Sequence, residues 1–171
     1  MIAQESDRLS RLSQTLLRLS ALEQQSAPAS LTEFSLDEQL RQVILRLEPT
    51  WSARGISWQL DLNSVTVVSD EELLSHVWMN IIQNAIKFSP ENAVIEVRVF
   101  ATDTATVEIT DHGIGRDDAT VKRIFDRFYQ ADRSRKQEGV GLGLCLVKRI
   151  LDMLGGTVSV DSRPGEGSTF R

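Results

Sequence analysis

One cysteine in 171 residues, Cys145, leaves no internal disulfide and fits a reducing compartment. No apolar run reaches the roughly 18 residues a membrane span needs, and no segment reads as a signal peptide. A net charge of −5 argues against a general nucleic-acid binder. The only two histidines, His76 and His112, have no second histidine or cysteine at metal-ligand spacing. No stretch repeats. The glycine-rich stretch "EGVGLGLCLVKR" lacks the Gly-Lys-Ser/Thr ending of a P-loop. A polar basic segment precedes it where a dinucleotide fingerprint would have a strand.

What remains is a globular composition, 41% hydrophobic and 25% charged, large enough for one domain and an appendage. In residues 1–25, Leu9, Leu12, Leu16 and Leu19 fall at 3-4-3 spacing, with Ile2 seven before Leu9. Leu17 and Leu22 widen the stripe. That pattern suits a bundle helix, or else an amphipathic helix lying on the main domain. "SAPAS" then reads as a linker.

The rest mixes both periods. "EFSL", "ISWQLDL" and "VTVVS" read as strands. Residues 36–53 read as a helix with Leu36, Leu40, Val43, Ile44 and Leu47 on one face. Pro49 disturbs its end and Gly55 stops it. "SDEE" predicts a capping box, Ser69 with Glu72. It opens a helix that Pro90 closes. "AVIEVRVFA" and "ATVEIT" predict a strand pair turning near Asp103. A helix is expected over 117–129 and another over "GLGLCLVKRILDMLGG". "TVSVDS" and "STFR" predict strands around "RPGEG". Strands and helices do not alternate strictly, so helices layered on one face of a mixed sheet fit better than a doubly wound fold. The chain ends at "GSTFR" as an alternating pattern begins, which suggests a piece of a longer protein.

The chemistry concentrates in three places. Asn80 and Asn84 lie four apart on one face of an otherwise apolar helix, "MNIIQNAIKF", although asparagine is a poor helix former. "VEITDHGIGRDD" ends a strand at Asp111 and continues through Gly113 and Gly115. There a carboxylate can accept from a planar ligand, or the segment is a plain turn. Gly139, Gly141 and Gly143 precede a helix, whose N-terminus favours an anion if the loop is more than a flexible cap.

In that order, Asn80-x-x-x-Asn84-x-x-Lys87, Asp111-x-Gly113-x-Gly115, "FDRFY" and Gly139-x-Gly141-x-Gly143 resemble the ATP-binding catalytic domain of two-component sensor histidine kinases. The resemblance covers residues 34–171, with the last strand cut short. Residues 1–25 resemble the second helix of the family's dimerization and phosphoacceptor hairpin, and 26–33 would be the linker. It implies an α+β, two-layer α/β sandwich of the histidine kinase/gyrase/heat-shock-90 ATPase type, with a mixed sheet, helices on one face and one bundle helix in front.

The resemblance also implies ATP and Mg²⁺ as cofactors. Asn84 would be the metal ligand, a hard amide oxygen suited to Mg²⁺. Asn80 would hold a phosphate or a metal-bound water, and Lys87 would reach the phosphates. Phe88 would lie near the nucleoside, and Asp111 would read the adenine amine. Gly113 and Gly115 would shape that loop. Gly139, Gly141, Leu142 and Gly143 would border the phosphates. Residues 116–138 would be a lid docked by Phe125 and Phe128, with Arg127 and Arg133 approaching the phosphates. Related ATPases place glutamate, a general base, where this chain has Asn80. A histidine acceptor already offers a lone pair, so the pattern favours kinase over hydrolase.

The acceptor histidine is missing, because neither His76 nor His112 stands in a hairpin helix. Arg116 replaces an apolar residue of the family, and Gln130 a basic one. The implied partners are a second copy, paired through the hairpin, and a response regulator. No nucleic acid or direct membrane contact is implied. The implied location is the cytoplasmic portion of a membrane-anchored sensor. The alternative is a nucleotide-binding interaction module without transferase activity.

Overall fold

The computed structural model describes residues 10, 13–17, 19–22, 24, 30–130 and 141–171. Among these, a five-stranded sheet carries the core. Its strands are β2 (Ser57–Leu62), β4 (Val94–Ala101), β5 (Ala105–Asp111), β6 (Val160–Arg163) and β7 (Gly167–Phe170). Their order is β2-β4-β5-β7-β6. β2 runs parallel to β4, and every other pairing is antiparallel, so the sheet is mixed. A separate ribbon pairs β1 (Thr32–Ser35) with β3 (Thr66–Ser69).

The period of two sets the inner face. Ile95, Val97 and Val99 of β4 pair with Asp111, Ile109 and Val107 of β5, and Phe170 of β7 pairs with Ile109. All are buried, the apolar ones against the helices. On the opposite face Glu108 is held by Arg98 Nη1 at 3.0 Å and Arg171 Nε at 2.7 Å.

The helical layer consists of α1 (Leu36–Arg46), α2 (Glu48–Ser52), α3 (Glu71–Phe88), α4 (Asp118–Val121) and α5 (Gly143–Leu154). The single helix expected over 36–53 divides at Leu47. Pro49 has no N–H for an interior turn but fits the first turn of α2. The capping box expected at Ser69 does not form, and the N-cap lies one residue on. Ser69 is still in β3, paired with Thr32, and Asp70 caps α3 by accepting from Leu73 N at 3.1 Å. The helix expected over 117–129 is only the one turn of α4, capped by Asp117 and followed by turns. "TVSVDS" pairs as a strand only from Val160. Gly155 ends α5 at φ +73°, as its position predicts.

The described leucines of residues 1–25 divide between the core and the surface. Leu19 and Leu22, in helical residues 19–22, join the core of this same chain. Arg149 Nη2 on α5 donates to the Leu22 carbonyl at 3.0 Å. Leu16 and Leu17 are exposed, and Ile2, Leu9 and Leu12 lie outside the described residues. Strand β1 already begins at Thr32, so the structured domain starts before residue 34.

Candidate nucleotide site

α3 crosses the inner face with Val77, Trp78, Ile81, Ile82, Ala85 and Ile86 buried. Asn80 and Asn84 fall at the margin of that stripe, half-exposed and one turn apart. Asn80 Nδ2 donates to the His76 carbonyl at 2.8 Å. Its Oδ1 faces the first residue of α5, where a Cβ on Gly143 would come within 2.7 Å. Asn80 thus meets the N-terminus of α5, and Asn84 follows one turn on along the same face of α3.

The C-terminal turn of α3 is tied down from outside the helix. Arg54 Nη1 donates to the carbonyls of Ile86 and Lys87 at 2.5 and 3.0 Å, and Nη2 to that of Ser89 at 2.7 Å. A guanidinium here satisfies carbonyls that the helix leaves open and opposes its negative end. Nothing in the periodicity of residues 53–56 announces this role. Arg54→Ala should cost about 2 kcal/mol, because three carbonyls lose a charged donor while some regain water. Urea unfolding measures it, and Arg54→Lys should recover only part, since an ammonium cannot fork to all three.

Asp111 ends β5 on the inner face and is only 2% exposed. Its Oδ1 accepts from Gly113 N at 2.9 Å. Burial pushes its carboxyl above the usual range, while the Gly113 N–H, the Arg116 charge, His112 and the Ser168 backbone draw it back. A Cβ on Gly113 would stand 2.2 Å from the Phe88 carbonyl, so this glycine lets the loop lie directly against the end of α3. Gly115, at φ +63°, does the same against the Arg163 carbonyl.

Phe88 connects the two halves. Lys87 Nζ lies 4.8 Å from its ring centroid and the Arg116 guanidinium 4.9 Å. Arg116 also lies 5.7 Å from the Phe170 ring, and its Nη1 donates to Ser168 Oγ at 2.7 Å. Its burial lowers its own affinity for a proton, against the pull of Asp111.

Beyond α4, of the two lid anchors expected, Phe125 packs on the core and Phe128 does not. Phe128 is 52% exposed, at φ +59°, with its N–H bonded to the Gly141 carbonyl at 3.0 Å. Ile124 is buried instead, and Phe125 and Tyr129 pack on the core, with Arg123 4.5 Å over the Tyr129 ring. The sequence shows these as an apolar cluster in "RIFDRFY" without saying which members turn inward. Leu142 likewise buries its side chain in the core, so only its backbone can border a ligand. Arg127 is exposed. Arg133 and Gly139 lie outside the described residues, as does most of "QADRSRKQE". His112 Nε2 sits 2.8 Å from Glu96 Oε1, on the exposed side of the loop.

The site therefore combines an amide pair, a buried carboxylate at a strand end and a helix N-terminus around one edge of the helical layer. Known proteins resemble the chain in sequence and fold. Residues 69–171 match the family model described as histidine kinase-, DNA gyrase B-, and HSP90-like ATPase. The heme sensor protein HssS of Staphylococcus saprophyticus is 31% identical over 170 residues, covering 99% of this chain and 36% of that protein. The sensor-like histidine kinase SenX3 of Mycobacterium tuberculosis is 32% identical over 170 residues, covering 97% of this chain and 42% of its own length. Among solved structures, full-length ShkA in complex with AMPPNP superposes with a TM-score of 0.86 at 29% identity, covering 98% of this chain and 35% of that one. The mycobacterial sensor histidine kinase MprB gives 0.73 at 26% identity, covering 82% and 94%.

The chain belongs to the histidine kinase-, DNA gyrase B-, and HSP90-like ATPase family. Within it, the chain is an ATP-binding catalytic domain of the sensor histidine kinase kind. It spans 36% and 42% of the length of the two relatives named. Among the described residues, no helix is long and apolar enough to cross a membrane.

Proposed function

We propose that this chain presents Mg·ATP so that the γ-phosphoryl group passes to a histidine supplied by another segment, and from there to an aspartate of a response regulator. The carrying observation is the amide at Asn80. It sits at the α5 N-terminus with its Nδ2 fixed on the His76 carbonyl, where a hydrolase of this family would place a carboxylate base. An amide cannot take a proton from water, whereas a neutral imidazole already offers a lone pair for the attack and makes less demand on a base in this domain. Transfer then depends on positioning and neutralising charge.

Asn84 is assigned the metal. Its half-exposed amide offers a hard oxygen. Among the described residues, no group of three His, Cys, Asp or Glu side chains could hold an ion by itself. A Mg²⁺ ion held by Asn84 would supply charge neutralisation at the phosphates. Asp111 is assigned the adenine amine, Phe88 the neighbourhood of the nucleoside, Lys87 and Arg127 the phosphates. The exposed Leu16 and Leu17 suit pairing with a second copy in the whole protein.

A transfer assay tests this. The chain is mixed with γ-labelled ATP and a separately purified helical hairpin that carries the acceptor histidine. The label should reach the hairpin only when both are present. Label released only as inorganic phosphate would favour an ATPase. Binding of ATP without turnover would favour an interaction module.

A further inference from the structure

We propose that Arg116 is a positioning residue for the base pocket: its guanidinium, held between the Phe88 and Phe170 rings and bonded to Ser168, is the counter-charge that keeps the Asp111 carboxylate an anionic acceptor. This rests on the reading of Asp111 as the group that meets the base.

Asp111 needs such a partner. At 2% exposure it has lost nearly all its water, and a buried carboxylate without compensation takes up a proton. A protonated carboxyl would offer the base a donor where the amine needs an acceptor. Arg116 stands on the same loop, five residues on, and is half-buried itself. Its position is over-determined. Two aromatic faces flank it at 4.9 and 5.7 Å, and Ser168 Oγ accepts from Nη1 at 2.7 Å. Its backbone N donates to Ser162 Oγ at 2.8 Å. Ser162 Oγ in turn lies 2.9 Å from Ser168 Oγ and bonds the Gly167 carbonyl at 2.8 Å. The two serines of the β6–β7 hairpin thus fix the guanidinium and the loop that carries it.

Ser168, which accepts from Arg116 Nη1, is the register partner of Asp111 across β5 and β7, and this brings the guanidinium to the same end of the sheet as the carboxylate. His112 adjoins it in sequence, but its ring is turned to Glu96 of β4 at 2.8 Å. Lys87, at the end of α3, lies over the outer partner of the stack, Phe88. β4 and β7 face Asp111 with Ile95 and Ser168, neither of which titrates. Burial raises the Asp111 carboxyl and Arg116 opposes that rise, which agrees with the geometry.

The test compares wild type with Arg116→Met, which keeps the stem and loses the charge, and with Arg116→Lys, which keeps both. The Asp111 carboxyl carbon is followed by NMR against pH, and ATP affinity by calorimetry. In Arg116→Met, Asp111 should titrate at least about one pH unit higher, and ATP affinity should fall by up to about tenfold at pH below the range in which the carboxyl titrates and match wild type above it. Arg116→Lys should follow wild type. Arg116→Gln serves the same comparison if the methionine variant does not fold. An Asp111 titration that is the same with and without the charge overturns the proposal. If Asp111→Asn binds ATP as well as wild type does, the base reading of Asp111 fails instead, and the carboxyl titration still decides the counter-charge.

Discussion

Asp111→Asn is expected to weaken ATP binding by about tenfold or more while leaving the fold at least as stable at neutral pH. The two halves of this result have one cause. Asp111 is buried, and burial raises its carboxyl in the folded state above the value of an unfolded chain. A group raised in this way favours folding below the unfolded carboxylate range. That contribution is lost as pH rises through the folded value. At neutral pH the ionised carboxylate is therefore a net cost to the fold. Asparagine removes the charge and keeps an oxygen for the Gly113 N–H, which now bonds Oδ1 at 2.9 Å. The base loses a charged acceptor, and a carboxylate is about twice as strong as a neutral one. The variant's stability advantage should shrink as pH falls into the carboxylate range. Calorimetry and thermal unfolding on one preparation decide it. A variant that keeps its ATP affinity but is less stable near pH 8 would make Asp111 structural.

The second large effect belongs to Gly115. Its φ of +63° disfavours any side chain, and a Cβ there would lie 1.7 Å from the Arg163 carbonyl oxygen. Alanine must push the β6–β7 hairpin away from the loop. That breaks the Gly165 N–H to Ile114 carbonyl bond at 2.8 Å and the Arg116 N–H to Ser162 bond at 2.8 Å. We expect Gly115→Ala to cost about 3 kcal/mol or more and to weaken ATP binding, because the same movement shifts Asp111 relative to Ser168. Gly155 is the control. It also has positive φ, +73°, but a Cβ there meets nothing within 4 Å. Gly155→Ala should cost only about 1 kcal/mol, the backbone share alone. Equal losses in urea unfolding would mean that the close approach at Gly115 carries no weight.

Features written in local patterns were legible in the sequence. The alternation of "AVIEVRVFA" and "ATVEIT" predicts the β4–β5 hairpin that forms. The Asn80/Asn84 spacing predicts the shared helical edge, and Gly155 the end of α5. Features that depend on distant partners were not. β2 and β3 are neighbours in sequence, yet one joins β4 and the other β1, because strand pairing is settled by tertiary packing. Ser69 and Asp70 are both good caps, and only the pairing of Ser69 with Thr32 decides between them. Arg54 reaches carbonyls 32 to 35 residues away, so no periodicity reveals it. Leu19 and Leu22 fit a bundle seam and a domain-packing face equally well by spacing, and here they pack on the domain. Arg116 stood out as a departure from the family pattern, but its place between two rings emerges only when β7 brings Phe170 beside the loop.

The amide edge of α3 is expected to bind nucleotide as its magnesium complex. Calorimetric titration of ATP into wild type and Asn84→Ala, each with Mg²⁺ and with a chelator, tests it most directly. Asn84 is half-exposed at the margin of the buried stripe, so the variant should fold as wild type does by circular dichroism. Wild type should bind ATP more tightly with Mg²⁺ than without. Asn84→Ala should bind Mg·ATP about tenfold or more weakly, a loss of about 1.4 kcal/mol, and should no longer distinguish the metal from the chelator. A folded Asn84→Ala variant that binds Mg·ATP with wild-type affinity would contradict the account.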